Sequence, residues 1–177
     1  MRKSKSLPVN EAEWLARAFA YCERRETSRP KLKRYLLRVE QVRNGDTEPS
    51  GQTLTWIENA LDACESARLI DHERFAGILT REYERLDKGK NYISQMLIHR
   101  GVKEESFQFE NDPEVELTRA LRSAIKFLTQ TSFKKIKDHE ILKLKLCQKL
   151  LFSGFDSDLA ERAAEHALTL ETKDPSL

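Results

Sequence analysis

The sequence predicts an all-α protein. Three observations carry that reading: apolar residues recur at helical spacing along almost the whole chain, capping residues and glycines punctuate those runs, and no convincing strand pattern occurs. The chain has 177 residues, enough to bury a sizeable core without metal or disulfide staples. Charged residues make up 34% and hydrophobic residues 39%, a balance that suits narrow apolar stripes beside broad charged faces.

Residues 1–10 read as a disordered basic tail. From Glu11 to about Arg25, the residues Trp14, Leu15, Ala18, Phe19 and Cys22 form one amphipathic stripe. Ser28 is a candidate N-cap, and Pro30 is welcome in a first helical turn because its missing N–H costs nothing there. That second helix carries Leu32, Leu36 and Val39 to about Glu40. Residues 42–52 concentrate Gly, Pro, Ser, Asn and Asp and read as a flexible loop. A helix from Thr53 to Leu69 follows, with Leu54, Ile57, Leu61 and Cys64 on one face.

Asp71 caps the next helix, whose stripe is Phe75, Ile78, Leu79, Tyr83 and Leu86, and Gly89 ends it. A short helix with Ile93, Met96 and Leu97 stops at Gly101. Asp112-Pro113 opens a helix through Leu128, Asp138 caps one that Gly154 closes, and Asp156 opens the last. Residues 169–177 read as a tail.

Three helices share a register. Leu32 and Leu36 are followed four residues on by Glu40, Ile93 and Leu97 by Gly101, and Leu146 and Leu150 by Gly154. The starts lie 61 and 53 residues apart, and each interval holds about three helices. The chain therefore reads as one domain, 11–168, of three tandem three-helix repeats: 11–69 with the 42–52 loop, 71–110, and 112–168. Stacked end to end, such modules give an elongated, curved helical protein.

Active-site signatures are missing from the sequence. His72, His99, His139 and His166 lie on different helices without a metal-pair partner, and His72 and His139 read as first-turn surface residues. Cys22, Cys64 and Cys147 are widely spaced and fall among apolar helical positions, as reduced core thiols of a cytoplasmic protein do. There is no Gly-rich phosphate loop and no apolar run of membrane-spanning length. The expectation is a monomeric, cytoplasmic non-enzyme with no cofactor, no metal and no membrane contact.

The surface charge is more informative. Net charge is only +2, yet residues 1–43 hold twelve Lys and Arg against five acids, while 155–177 hold two against six. Arg24, Arg25, Lys31, Lys33, Arg34 and Arg38 crowd the first hairpin, and Lys88 and Lys90 flank Gly89. Lys134, Lys135, Lys137, Lys143, Lys145 and Lys149 crowd the third module. Such clusters neutralise phosphates or meet acidic protein surface.

The run from Ala60 to Ala76, ALDACESARLIDHERFA, resembles the signature of the RecX family, in which a helix starting R-F-A follows leucine and acidic residues. Arg81, Lys88-Gly89-Lys90, Ile93, Leu97 and Arg100-Gly101-Val102 are similar to that family's R…KG…I…L..KGI pattern in order and spacing. Arg25 and Ser28 followed by Leu32 and Leu36 resemble its first hairpin. The likeness spans about Trp14 to Leu168 and is specific for Leu61–Val102. It departs where Lys31, Glu40, Ala67-Arg68 and Asn91-Tyr92 replace an acid, a Gly, Gly-Tyr and Gly-Pro.

The resemblance implies a helical regulator that binds RecA–single-stranded DNA filaments, bridges neighbouring protomers, and inhibits recombinase activity, DNA repair and the SOS response. Whether it also binds single-stranded or duplex DNA stays open. The basic residues above, with Arg74 and Arg81 of the RecX-like segment, are the expected contacts. Reversal of Arg34, Arg38, Lys143 and Lys145 to Glu tests them. The competing readings are a helical DNA-binding transcriptional regulator and a generic helical interaction scaffold.

Overall fold

The computed structural model of the protein describes residues 7–45, 48–109, 112–130 and 136–173. Among the described residues there are eight α-helices and no strand: α1 Glu11–Cys22, α2 Arg29–Asn44, α3 Gly51–Ser66, α4 His72–Arg85, α5 Lys90–His99, α6 Pro113–Leu128, α7 His139–Phe152 and α8 Ser157–Lys173. A single 3-10 turn, Glu104–Ser106, lies between α5 and α6.

The caps are those the residue types dictate. Asn10 Oδ1 accepts from Glu13 N–H, Ser50 Oγ from Thr53 N–H, Asp71 Oδ1 from Arg74 N–H, Asp112 Oδ1 from Glu114 N–H and Asp138 Oδ1 from Ile141 N–H. Ser28 stands at the N-cap of α2 but makes no side-chain cap; its hydroxyl donates instead to the Arg100 carbonyl at 2.5 Å.

Several boundaries differ from the sequence reading. The 42–52 loop shrinks, because α2 runs on to Asn44 and α3 already starts at Gly51. Glu40 is the reason for the first extension. Its carboxylate is fully buried and accepts from Arg43 Nε and Nη2 at 2.7 and 2.6 Å and from Asn44 Nδ2 at 2.6 Å. Partners three and four residues on pin the last turn of α2. α1 stops at Cys22 rather than Arg25, and α3 at Ser66 rather than Leu69.

The expected tails are also partly structured. Pro8 is buried, Leu7 packs against the first core, and Val9 N–H donates to Glu13 Oε2 at 3.0 Å. At the other end α8 continues through residue 173. Residues 1–6 and 174–177 of those tails lie outside the described residues.

The chain divides into two units. The first comprises Met1–Ala76 and His99–Ser106, the second Gly77–Ile98 and Phe107–Leu177. Residues 71–110, read from sequence as one module, are thus shared between them. In the first unit α1, α2 and α3 enclose Trp14, Ala18, Leu32, Leu36, Ile57, Leu61 and Cys64. In the second, α6, α7 and α8 enclose Ala120, Ala124, Leu146, Leu150, Phe155, Ala163 and Ala164. The alanine stripe of α8 lets its backbone approach α6 and α7 closely, as small residues at a helix interface do.

All six apolar register positions, Leu32, Leu36, Ile93, Leu97, Leu146 and Leu150, are 0% exposed. At the closing position Gly101 and Gly154 take φ of +79° and +90°. Gly154 also meets the start of α5. Gly89 N–H donates to the Ser153 carbonyl at 2.8 Å and Asn91 N–H to the Gly154 carbonyl at 3.1 Å.

Ion pairs stitch each unit. Arg29 reaches Glu58, Asp62 and Glu65 of α3 at 2.7–2.9 Å, while Lys90 meets Asp156 at 2.8 Å. The hydrogen bond from Lys33 holds the Glu58 carboxyl below its ordinary value, and that from Lys90 does the same for Asp156. A depressed folded pKa stabilises above the unfolded value and loses that contribution as pH falls through the folded one. Both carboxylates are over a third exposed, at 40% and 45%, so solvent screening keeps each contribution below about 1 kcal/mol. Urea midpoints are therefore expected to fall modestly between pH 6 and pH 3, and Asp156→Asn is expected to flatten that dependence. An unchanged pH profile in that variant sinks the assignment.

Candidate functional site

The helical periodicity of α1 and α2 produces the most distinctive surface of the molecule. On α1, Arg17 and Tyr21 lie four residues apart on one flank beside the buried Trp14–Ala18–Cys22 face, and Arg24 and Arg25 follow in the turn just past the helix end. Around α2, Lys31, Arg34, Tyr35 and Arg38 recur at i, i+3, i+4 and i+7, beside the buried Leu32–Leu36 face. Packing these buried faces into one core brings the two flanks together. They enclose a cleft of about 390 Å³ lined by Arg17, Ala20, Tyr21, Arg24, Arg25, Lys31, Arg34, Tyr35 and Arg38.

The lining holds six cations and no carboxylate. Tyr21 and Tyr35 stack with ring centroids 4.3 Å apart, and the Arg25 guanidinium sits 4.8 Å from the Tyr21 centroid. That cation–π contact helps fix an otherwise mobile side chain. Among the described residues, no carboxylate pairs with Arg24, Arg25, Lys31, Arg34 or Arg38. The opposite edge of α2 contrasts with this: Arg29 and Lys33 there are neutralised by Glu58, Asp62 and Glu65. The cleft is thus a concave, cationic surface in which Arg24, Arg25, Lys31, Arg34 and Arg38 have no carboxylate partner among the described residues, and it can bind a polyanion.

The remaining expected contacts divide into occupied and exposed groups. Arg74 is paired with Glu26 at 2.8 Å, Lys90 with Asp156, and Lys33 with Glu58 at 2.5 Å. Lys88 lies 4.8 Å from the centroid of Tyr92. Lys143, expected as a free contact, is held by Glu165 at 2.6 Å and Glu161 at 3.4 Å. Its place facing α8 is the cause, and Lys143→Glu would set three carboxylates together. Arg81, Lys137, Lys145 and Lys149 are exposed. Lys134 and Lys135 lie outside the described residues.

Arg17, Tyr21 and Tyr35 are cleft residues that the sequence reading did not single out. The Arg and Tyr periodicity on both helices is the signal that finds them. Arg119, also not singled out, is a buried structural cation of the second unit. It donates to Glu84 at 2.9 Å, to Glu116 at 3.3 Å and to the Lys88 carbonyl at 3.3 Å.

His72 departs from the expected surface role. Both ring nitrogens are shielded from solvent without a hydrogen-bond partner, and Nε2 lies 3.5 Å from Glu65 Oε1. The hydrogen bond to Cys22, together with burial, pushes the Cys64 thiol up, and burial does the same for Cys147. Those two thiols are accordingly held in the unreactive protonated form. No group of three or more His, Cys, Asp or Glu suited to a metal ion forms among the described residues, and no described helix is long and apolar enough to cross a membrane.

No protein-family model matches the chain. The chain is similar to the regulatory protein RecX of Clostridioides difficile (strain 630), with 26% identity over 124 residues, covering 67% of this chain and 56% of that relative. It therefore spans a little over half of that relative's length. In structure it is similar to RecX from Lactobacillus salivarius, with TM-score 0.66 and 16% identity, covering 90% of this chain and 97% of the other. A second crystal structure, of regulatory protein RecX, gives TM-score 0.68 at 22% identity over 88% of this chain and 73% of the other. At these identities the structural likeness is one of fold. The resemblance to RecX proteins thus holds in sequence and in fold alike.

Proposed function

We propose that this chain, RecX-like in sequence and in fold, is a cytoplasmic, non-enzymatic regulator that binds RecA–single-stranded DNA filaments and inhibits the recombinase. Dampened DNA repair and a dampened SOS response follow from that inhibition. The observation that carries the reading is the joint match of sequence and helical fold to RecX proteins. The cleft cations Arg24, Arg25, Lys31, Arg34 and Arg38 of the first unit and the exposed Lys145 and Lys149 of the second are the contacts assigned to the filament. Two units, each with its own core, offer two sets of contacts, and modest contacts tethered in one chain add through effective concentration.

Titration of the full chain into single-stranded-DNA-dependent ATP hydrolysis by its cognate RecA tests this. Inhibition at or below one chain per recombinase protomer is the expected result. Undiminished hydrolysis in the presence of a folded, helical chain overturns the proposal.

A further inference from the structure

We infer that the α1–α2 cleft is a binding site for a compact polyphosphate, a chain of three or more anhydride-linked phosphates, free or carried on a nucleoside. The inference needs no recombinase and stands or falls apart from the filament reading.

Three observations lead there. First, the charge is convergent. Arg17, Arg24, Arg25, Lys31, Arg34 and Arg38 all line one cavity of about 390 Å³, and Lys31 to Arg38 cover about two turns of α2, roughly 10 Å of helix rise. A single nucleic-acid strand presents one charge per about 3.4 Å of helix axis and is met by cations strung along a track. Six cations around one concavity outnumber the phosphates that such a strand places there. Adjacent phosphates sharing bridging oxygens supply the matching charge density.

Second, the cleft has the dimensions of a small-molecule site. A volume of about 390 Å³ lies within the range of pockets that hold cofactor-sized ligands. Third, its donors are partly preorganised. The Tyr21–Tyr35 stack and the Arg25 contact order the floor of the cleft. Five of the arginine and lysine side chains are spared the carboxylates that neutralise Arg29 and Lys33 on the other edge of the same helix. Guanidinium groups present planar, forked donors that suit phosphate oxygens, and five of the six cations are arginines.

Isothermal titration of the full chain at low salt tests the inference, with inorganic tripolyphosphate, orthophosphate, ATP and a short oligothymidylate as separate probes. Tripolyphosphate is expected to bind at one per chain and at least tenfold more tightly than orthophosphate. The double variant Arg34→Ala/Arg38→Ala is expected to weaken it at least tenfold with unchanged circular dichroism. Lys145→Ala/Lys149→Ala, equal in charge removed but on α7, is expected to leave it within twofold. ATP binding more tightly than tripolyphosphate assigns the ligand as a nucleotide; equal or weaker binding assigns the phosphate chain alone, and either supports the site. Absence of tripolyphosphate binding overturns the inference. So does equal weakening by the two double variants, or an oligothymidylate that binds the cleft more tightly than tripolyphosphate.

Discussion

Gly154→Ala is expected to destabilise the second unit by roughly 2–5 kcal/mol, combining a left-handed backbone penalty of 1–2 with an overpacking cost of 1–3. Gly154 has φ of +90°, and a Cβ there would lie 2.2 Å from Tyr92 N and 2.4 Å from Tyr92 Cβ. Backbone atoms cannot swing aside as the end of a long side chain can. The same turn is also met by Gly89, whose own Cβ would lie 2.4 Å from the Gly154 carbonyl carbon and oxygen. The hydrogen bonds from Gly89 and Asn91 onto Ser153 and Gly154 require that approach. Thermal unfolding should shift down by about 5–20 °C, at 2–4 °C per kcal/mol for a chain of this size.

Two control substitutions separate the causes. Gly45 has φ of +66° with nothing within 4 Å of an added Cβ, so Gly45→Ala carries the backbone penalty alone. Gly51 has open space and an ordinary φ in the first turn of α3, so Gly51→Ala should be neutral or slightly stabilising. If Gly154→Ala costs no more than Gly45→Ala, the close approach of the α5 start to the α7–α8 turn is wrong.

Reversing Arg34 and Arg38 to Glu is the substitution with the largest expected effect on function. It replaces two of the six cleft cations by anions, a swing of four charges in a cavity of about 390 Å³. Both side chains are exposed and neither is ion-paired among the described residues, so folding should be spared. On the proposed reading, inhibition of RecA should fall at least a hundredfold in half-maximal concentration, with helical circular dichroism unchanged. Lys145 can be reversed alongside them. Lys143 belongs in a stability experiment instead, because its loss would leave Glu161 and Glu165 facing one another unpaired. Retained inhibition by the Arg34→Glu/Arg38→Glu chain would remove the cleft from the filament contact.

The sequence by itself determined the local structure. Helix identity, the caps at Asp71, Asp112 and Asp138 and the left-handed closures at Gly101 and Gly154 depend on residues within a few positions of one another, and period and capping chemistry state them openly. Burial of the register leucines was legible for the same reason, since spacing of four puts both members of each pair on one face. The basic character of the first hairpin was legible too.

Tertiary structure alone decided which cations are free. Lys33 and Arg34 are neighbours in sequence, yet one faces Glu58 of α3 and the other faces the cleft. Lys143 and Lys145 differ in the same way against α8. Neutralisation depends on which helix stands opposite, and contacts tens of residues away leave no periodic trace in the sequence. The same holds for the end of α2. Glu40 looked like a helix boundary, and the buried pairing with Arg43 and Asn44 made it an interior residue. Likewise, the cleft's lining was present as two separate Arg and Tyr stripes, and only the packing of α1 and α2 into one core made them a single site.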